Sequence, residues 1–221
     1  MKRTIISIIA SGGILGAGVF LVFGGYAIIE PSQLTAATAT TTSSVTLTVD
    51  EEISISASGG TTLSPNVGVS QDSSVGSSVW TVTTNSTAGY TLEFTTSQAN
   101  ALISGSDYFT DISTTTPINW DIAVATSTYV WGYSAYGTHV ATSTWGNAAA
   151  CGTAGASTFS TSLSYGGFAT TTTNAPTVAS TASETGVSGA TTTLCVAVEQ
   201  DAVFAPSGSY SATVTGTATT Q

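Results

Sequence analysis

Few side chains in this 221-residue chain could carry out catalysis. His139 is the only histidine, and a serine hydrolase would need it together with a Gly-x-Ser-x-Gly turn, which the sequence lacks. One histidine and two cysteines also supply too few nitrogen and sulfur ligands for a zinc site. We therefore predict that the protein is not an enzyme and that it holds no cofactor.

The acidic residues offer a second kind of chemistry. Asp107 and Asp111 lie close together in "SGSDYFTDIS", a stretch typical of a loop, where solvated carboxylates are the simpler interpretation. Calcium binding is the alternative interpretation, at this pair or at Asp50, Glu51 and Glu52, because calcium prefers oxygen donors. No EF-hand spacing accompanies either group, so the calcium hypothesis depends on these residues alone.

Aromatic residues alternate in "YVWGYSAYG", which places Tyr129, Trp131 and Tyr133 on one face of a predicted strand. Core packing is the favoured interpretation, because aromatic side chains bury large areas. A glycan-binding platform is the alternative, since an exposed row of rings can stack on sugar faces.

Alternation of apolar residues with Thr or Ser predicts the elements that position these side chains. The predicted strands are Val45–Val49, Ile53–Ala57, Val79–Thr84, Tyr90–Thr96, Asn119–Ala125, Thr128–Tyr136, Ser162–Thr170, Thr192–Gln200 and Ser209–Ala218. The turn "NSTAG" between the third and fourth of these strands predicts a hairpin. Residues Ala99–Ile103 could form one helical turn.

These strands predict an all-β fold, an antiparallel β-sandwich of immunoglobulin-like or jelly-roll type after an N-terminal apolar helix. Thr suits the outer faces, because its branched carbon fits a pleated sheet and its hydroxyl contacts water. Cys151 and Cys195 are expected to form one disulfide in an exported protein. Two separate buried thiols are the alternative in a reducing compartment.

The N-terminus has the pattern of an export signal. Lys2 and Arg3 precede Ile5–Ile29, which carries no charged side chain, and Ala37-Thr38-Ala39 fits an Ala-x-Ala cleavage pattern. We predict a signal peptide or N-terminal membrane anchor over residues 1–39, a Thr/Ser linker over 40–44 and one β-sandwich domain over 45–221. Cleavage is favoured, and the alternative is a retained anchor, for which the apolar stretch is long enough.

The charge distribution excludes several partners. Lys2 and Arg3 are the only basic residues, whereas all acidic residues except Glu30 lie beyond Ala39, and the net charge is −10. Such a surface repels phosphate backbones and anionic lipids. We expect no nucleic-acid partner and contact with a membrane only through the N-terminal segment.

Several segments together carry a resemblance: "VTLTVDEEISIS", "VWTVTTNSTAGYTLEFTTS", "YVWGYSAYG" and "VFAPSGSYSATVTGTA". The chain resembles small secreted Ser/Thr-rich β-proteins of candidate-phyla-radiation (Patescibacteria) bacteria, which implies a surface or secreted β-protein without implying an activity. It is more loosely similar to WxL-type cell-wall-binding domains, in its hairpin and in the ending "PSGSYSATVT". The W-x-L tripeptides are absent, so peptidoglycan binding is not implied.

The resulting functional hypothesis is an exported, non-catalytic cell-surface protein with a structural or adhesion role. One alternative is a pilus-like filament subunit that donates the segment 45–57 as a β-strand to a neighbour. Another is a glycan-binding module that uses Tyr129, Trp131 and Tyr133. The expected partners are a cell-surface protein or glycan, or further copies of the chain.

Overall fold

The computed structural model describes residues 38–112, 116–120, 128–153 and 158–221. The chain divides into two compact units, residues 1–48 and 49–221. Residues 38–48 have no helix or strand and are exposed, while the predicted leader lies almost wholly outside the described residues. Within the described ranges, none of the helices is long and apolar enough to cross a membrane.

Short and long strands make up most of the regular structure in the second unit. In chain order they are β1 (Ile53–Ala57), β2 (Ser73–Thr84), β3 (Tyr90–Thr96), β4 (Ile103–Ser104), β5 (Asp107–Tyr108), β6 (Thr110–Asp111), β7 (Ile118–Asn119), β8 (Tyr129–Gly137), β9 (Gly152–Thr153), β10 (Thr158–Phe159), β11 (Ser164–Tyr165), β12 (Ala179–Thr181), β13 (Ala190–Gln200) and β14 (Val214–Thr220). The described helices are α1 (Thr142–Trp145) and a 3-10 turn over Thr172–Asn174. The expected all-β character is confirmed at this level.

The largest sheet has five strands in the order β1-β2-β13-β8-β6. Its pairs are antiparallel except for β6 and β8, which are parallel. The central strand β13 is hydrogen-bonded on both sides, and its residues from Leu194 to Val198 are all buried. A strand covered on both faces has a continuous apolar sequence, as "LCVAV" shows.

A second sheet has three antiparallel strands in the order β12-β3-β14. On β3, Tyr90, Leu92 and Phe94 are fully buried, as the alternation predicted. The remaining strands form two-residue pairs: β4 with β5, β7 with β11, and β9 with β10.

The predicted hairpin of β2 and β3 is wrong. These strands belong to different sheets, and the turn Asn85–Gly89 carries the chain from one sheet to the other. β2 is already paired with β1 and β13, so it has no free edge for β3. Gly89 allows the crossing, because a Cβ there would lie 1.8 Å from the Thr181 carbonyl oxygen.

The main hydrophobic cluster contains residues from both larger sheets. Val82 of β2, Tyr133 of β8 and Leu194 of β13 share it with Leu92 and Phe94 of β3. A second cluster lies around the disulfide. Packing of distant strands against one another, and not local propensity, therefore holds these sheets in place.

Several other predicted elements differ from the structure. Strand Asn119–Ala125 lies mostly outside the described residues, although Ile118–Asn119 forms β7. Of Ser162–Thr170, only Ser164–Tyr165 is a strand, and Ala99–Ile103 contains a turn and the start of β4 but no helical turn. The predicted strand Val45–Val49 is unpaired.

Candidate functional site: an exposed segment and two unpaired strand edges

The segment Val45–Val49 presents apolar side chains to solvent. Val45, Leu47 and Val49 are 94%, 84% and 74% exposed, and Thr46 and Thr48 alternate with them. A strand pattern becomes a strand only when a partner satisfies its backbone groups, and the described residues provide none here. The segment thus has the sequence of a half-buried strand without a sheet to join.

Asn85 fixes the point at which the chain enters the five-stranded sheet, just before β1. The backbone N–H of Glu52 donates to Oδ1 of Asn85 at 2.7 Å, and Nδ2 of Asn85 donates to the carbonyl of Asp50 at 2.8 Å. The Asn85 backbone N–H also donates to the Glu52 carbonyl. The Asn85 side chain thereby extends the β1–β2 ladder toward the N-terminus as far as Asp50. Val49, the preceding residue, lies outside the ladder.

β14 has an unpaired outer edge whose orientation follows from its partner β3. The Leu92 carbonyl accepts from the Val178 N–H, and the Thr96 N–H donates to the Ala169 carbonyl. The backbone groups of Leu92 and Thr96 therefore point away from β14. Their partners on β14, Val214 and Ala218, therefore form non-hydrogen-bonded pairs. Since backbone direction alternates, the even-numbered residues of β14 direct their N–H and C=O groups to the outer edge.

β1 has a second unpaired edge by the same reasoning. Glu52 and Asn85 form a hydrogen-bonded pair, so Ser54 and Ser56 are also hydrogen-bonded to β2. The backbone N–H and C=O groups of Ile53, Ile55 and Ala57 therefore point to the outer edge. β1 and β14 come close to each other without pairing. The described chain supplies no hydrogen-bond partner to either outer edge.

An uncharged apolar strip accompanies these edges. Partly buried side chains that pack against the main cluster here are Ile53, Ile55, Trp80, Val214 and Ala218. The Trp80 ring covers Gly216 so closely that a Cβ at Gly216 would lie 2.6 Å from it. The strip can form main-chain hydrogen bonds and apolar contacts, which are the two requirements for adding a strand.

The proposed glycan platform is contradicted by burial. Trp131 and Tyr133 are 1% and 0% exposed, and Tyr133 stacks on Phe168 with ring centroids 4.3 Å apart. Tyr129 is partly buried and contacts Phe109 edge to face. These rings fill the core, which was the favoured interpretation, and a buried ring has no face free to stack on a sugar.

Among the described residues, the calcium candidates are not joined by further acidic, His or Cys side chains into a metal site. Oδ2 of Asp111 accepts the Asn100 backbone N–H at 2.6 Å, and the Asn100 side chain accepts the Asp111 N–H in return. Asp107 pairs with Ser104 in the short β4–β5 ladder. No group of three or more acidic, His or Cys side chains that could hold a metal occurs in the described part of the chain.

Burial raises the pKa of the Asp111 carboxyl above its usual value. The hydrogen bond from the Asn100 backbone N–H lowers the pKa, but the effect of desolvation is larger. Within the described residues, neither Oδ1 of Asp111 nor Nε1 of Trp131 reaches a good hydrogen-bond geometry. This carboxyl is therefore a partly buried structural group next to the core.

His139 lies on an exposed turn with φ of 63°, and its Nδ1 is 3.3 Å from the Tyr90 hydroxyl. An open cleft of about 260 Å³ nearby is lined mainly by small and apolar residues, among them Gly137, Val140 and Ala148. His139 does not line this cleft.

The predicted disulfide is confirmed. Cys151 and Cys195 are bonded, with their Cα atoms 5.3 Å apart and a sequence separation of 44 residues. Both are buried, and the bond ties the loop before β9 to the central strand β13. The Tyr165 hydroxyl donates to the Cys151 carbonyl and holds the same loop.

Sequence reasoning missed the role of Asn85. Asn85-Ser86-Thr87 matches an N-glycosylation acceptor and was predicted only as part of a turn, whereas in the structure the Asn85 amide holds residues 50–52. A side chain that pairs with backbone 33 residues away leaves no local pattern. Comparison of the chain with family models, curated proteins and solved structures gave no match.

Proposed function

We propose that this protein is an exported, non-catalytic structural or adhesion module of a cell surface. The buried Cys151–Cys195 bond carries the proposal, because disulfides persist mainly in oxidising compartments. The basic and apolar N-terminal sequence supports export, and the resemblance to secreted Ser/Thr-rich proteins agrees with it.

Protease treatment of intact producing cells tests the location. The chain has no Lys or Arg beyond Arg3, so trypsin is a matched control that cannot cut the predicted domain wherever it lies. We expect proteinase K to remove the signal of an antibody against residues 49–221, and trypsin to leave it. Persistence of the signal under proteinase K, with release only after cell lysis, would contradict export.

We also propose that the two larger sheets pack as a β-sandwich of immunoglobulin-like or jelly-roll type. The shared cluster of Val82, Leu92, Phe94, Tyr133 and Leu194 supports this arrangement. An experimental structure, or nuclear Overhauser contacts between Val82 and Phe94, would test it. The absence of contacts between β2 and β3 side chains would contradict the sandwich.

A second candidate function is self-association by strand addition, as in a pilus-like filament. The exposure of Val45, Leu47 and Val49 favours it, because exposed alternating apolar residues are suited to joining a sheet. Since Ile53–Ala57 is already paired with β2, the donated strand is shortened from 45–57 to Val45–Val49. Sedimentation of the exported chain over a range of concentrations tests this, and a strictly monomeric protein would exclude it.

A further inference from the structure

We propose that Val45–Val49 of one copy adds as a strand to the outer edge of β14 in a second copy. The proposal rests on the self-association just described and names its acceptor. It combines two features of the chain: a strand-like segment without a sheet, and a sheet edge without a strand.

β14 is the least protected of the described edges. Proteins protect edge strands by shortening them or by adding charge or Pro. β6 has two residues and β12 has three, while β1 follows Asp50-Glu51-Glu52 directly. β14 is seven residues long and contains neither charge nor Pro. An edge of this kind in an exported protein is expected to have a partner.

The charge distribution restricts where a second copy could bind. The chain has no Lys or Arg beyond Arg3, so two copies repel and cannot form Lys or Arg ion pairs between their domains. Contact is then possible only where both surfaces are neutral. Val45–Val49 and β14 are both uncharged, and each offers what the other lacks.

The dimensions and faces are compatible. Five residues of strand extend about 17 Å, which fits along a seven-residue edge. The outward groups of Val214, Gly216 and Ala218 supply a ladder of donors and acceptors. The apolar side chains of the donor would extend the partly buried strip at Trp80, and its Thr residues would face water as they do elsewhere on the sheets.

Two variants test the donor and the acceptor separately. Leu47→Asp puts a charge in the donor, and Val187→Asp is its matched control, because Val187 is 100% exposed in a loop. Ala218→Pro removes an outward N–H of β14 that makes no bond to β3, so the monomer keeps its ladder. The full exported chain is used for each variant, with sedimentation to measure association and circular dichroism to check folding.

We expect Leu47→Asp and Ala218→Pro each to weaken self-association at least about tenfold, and Val187→Asp to leave it unchanged. Loss of assembly in Leu47→Asp but not in Ala218→Pro would keep the proposed self-association and overturn β14 as the acceptor. Monomeric wild-type protein would overturn both, and an equal effect of Val187→Asp would overturn the donor.

If Ala218→Pro fails to fold, amide exchange of the wild-type protein decides. Association through this edge slows exchange at Gly216 and Ala218, whose N–H groups point outward, as concentration rises. Unchanged exchange at these two amides in the assembled protein would overturn the proposal.

Discussion

Tyr133 shows how strongly a single side chain can be buried in this fold. Its ring lies between Phe168 and Trp145, at centroid distances of 4.3 and 4.9 Å, and its hydroxyl has no hydrogen-bond partner among the described residues. Burial, and secondarily the negative charge of Glu93, raises the pKa of this phenol far above its usual value. Burial of the unpaired hydroxyl is thus unfavourable for folding, and the packing of the ring offsets this cost.

Tyr133→Phe removes that hydroxyl and keeps the ring. We expect the free energy of unfolding to stay equal or to rise by about 1 kcal/mol, because an unpaired buried polar group is unfavourable. Urea unfolding measures the change. Trp131→Ala is the contrasting variant and should lose about 3–5 kcal/mol by leaving a cavity. A large loss in Tyr133→Phe would show that the hydroxyl has a partner.

Asp111 makes stability depend on pH in the opposite direction from a salt-bridged carboxylate. Burial raises its folded pKa above the unfolded value, so folding favours the protonated form. The contribution of this group is complete below the unfolded pKa and is lost as pH rises through the folded pKa. In Asp111→Asn this dependence disappears, although Oδ1 can still accept the Asn100 N–H.

Urea unfolding between about pH 3 and pH 7 tests the prediction for Asp111. The wild-type protein should lose stability relative to Asp111→Asn as pH rises through this window. Asp201→Asn, at an exposed position, is the matched control for removing one negative charge. A wild-type curve that gains stability relative to Asp111→Asn with rising pH would contradict the assigned direction.

At the scale of elements, the hydrogen bonds of Asn85 determine where the exposed segment ends and β1 begins. Asn85→Ala removes both side-chain hydrogen bonds to residues 50–52, so we expect a loss of about 1 kcal/mol and roughly tenfold faster amide exchange at Glu52. Thr87→Ala is the matched control: it also destroys the Asn-Ser-Thr acceptor but leaves the hydrogen bonds of Asn85 intact. Equal effects in both variants would assign the change to a lost glycan.

The disulfide is the other constraint between elements. Replacing Cys151 and Cys195 by Ser should lower the free energy of unfolding by roughly 2–5 kcal/mol, because the loop before β9 is then no longer tied to β13. Urea unfolding of the wild-type protein with a reductant should reproduce this loss. A variant as stable as the oxidised wild type would show that packing of Tyr165 and Trp120 alone holds the loop.

For the whole molecule, we expect repulsion among like charges to lower stability. The predicted domain carries no Lys or Arg, so salt screens repulsion without weakening any Lys or Arg ion pair. We expect the free energy of unfolding in urea to rise as sodium chloride increases from about 0.05 to 1 M, where the screening length falls to about 3 Å. A protein held by surface ion pairs would show the reverse, and so a fall in stability would contradict the prediction.

The sequence by itself determined the local features of this protein. Alternating residues identified β1, β3, β8 and β13 and the buried face of β3, because a strand's two faces follow from a period of two residues. The cysteine pair and the lack of cations were also readable, since they depend on residue type alone.

Only the tertiary structure decided which strands pair and which faces are covered. It separated β2 from β3, buried Trp131 and Tyr133, and left Val45–Val49 without a partner. The physical reason is that alternation creates two faces but does not say what covers them. Pairing is settled by residues far away in sequence, as with Asn85 and Glu52, whose contact no local pattern predicts.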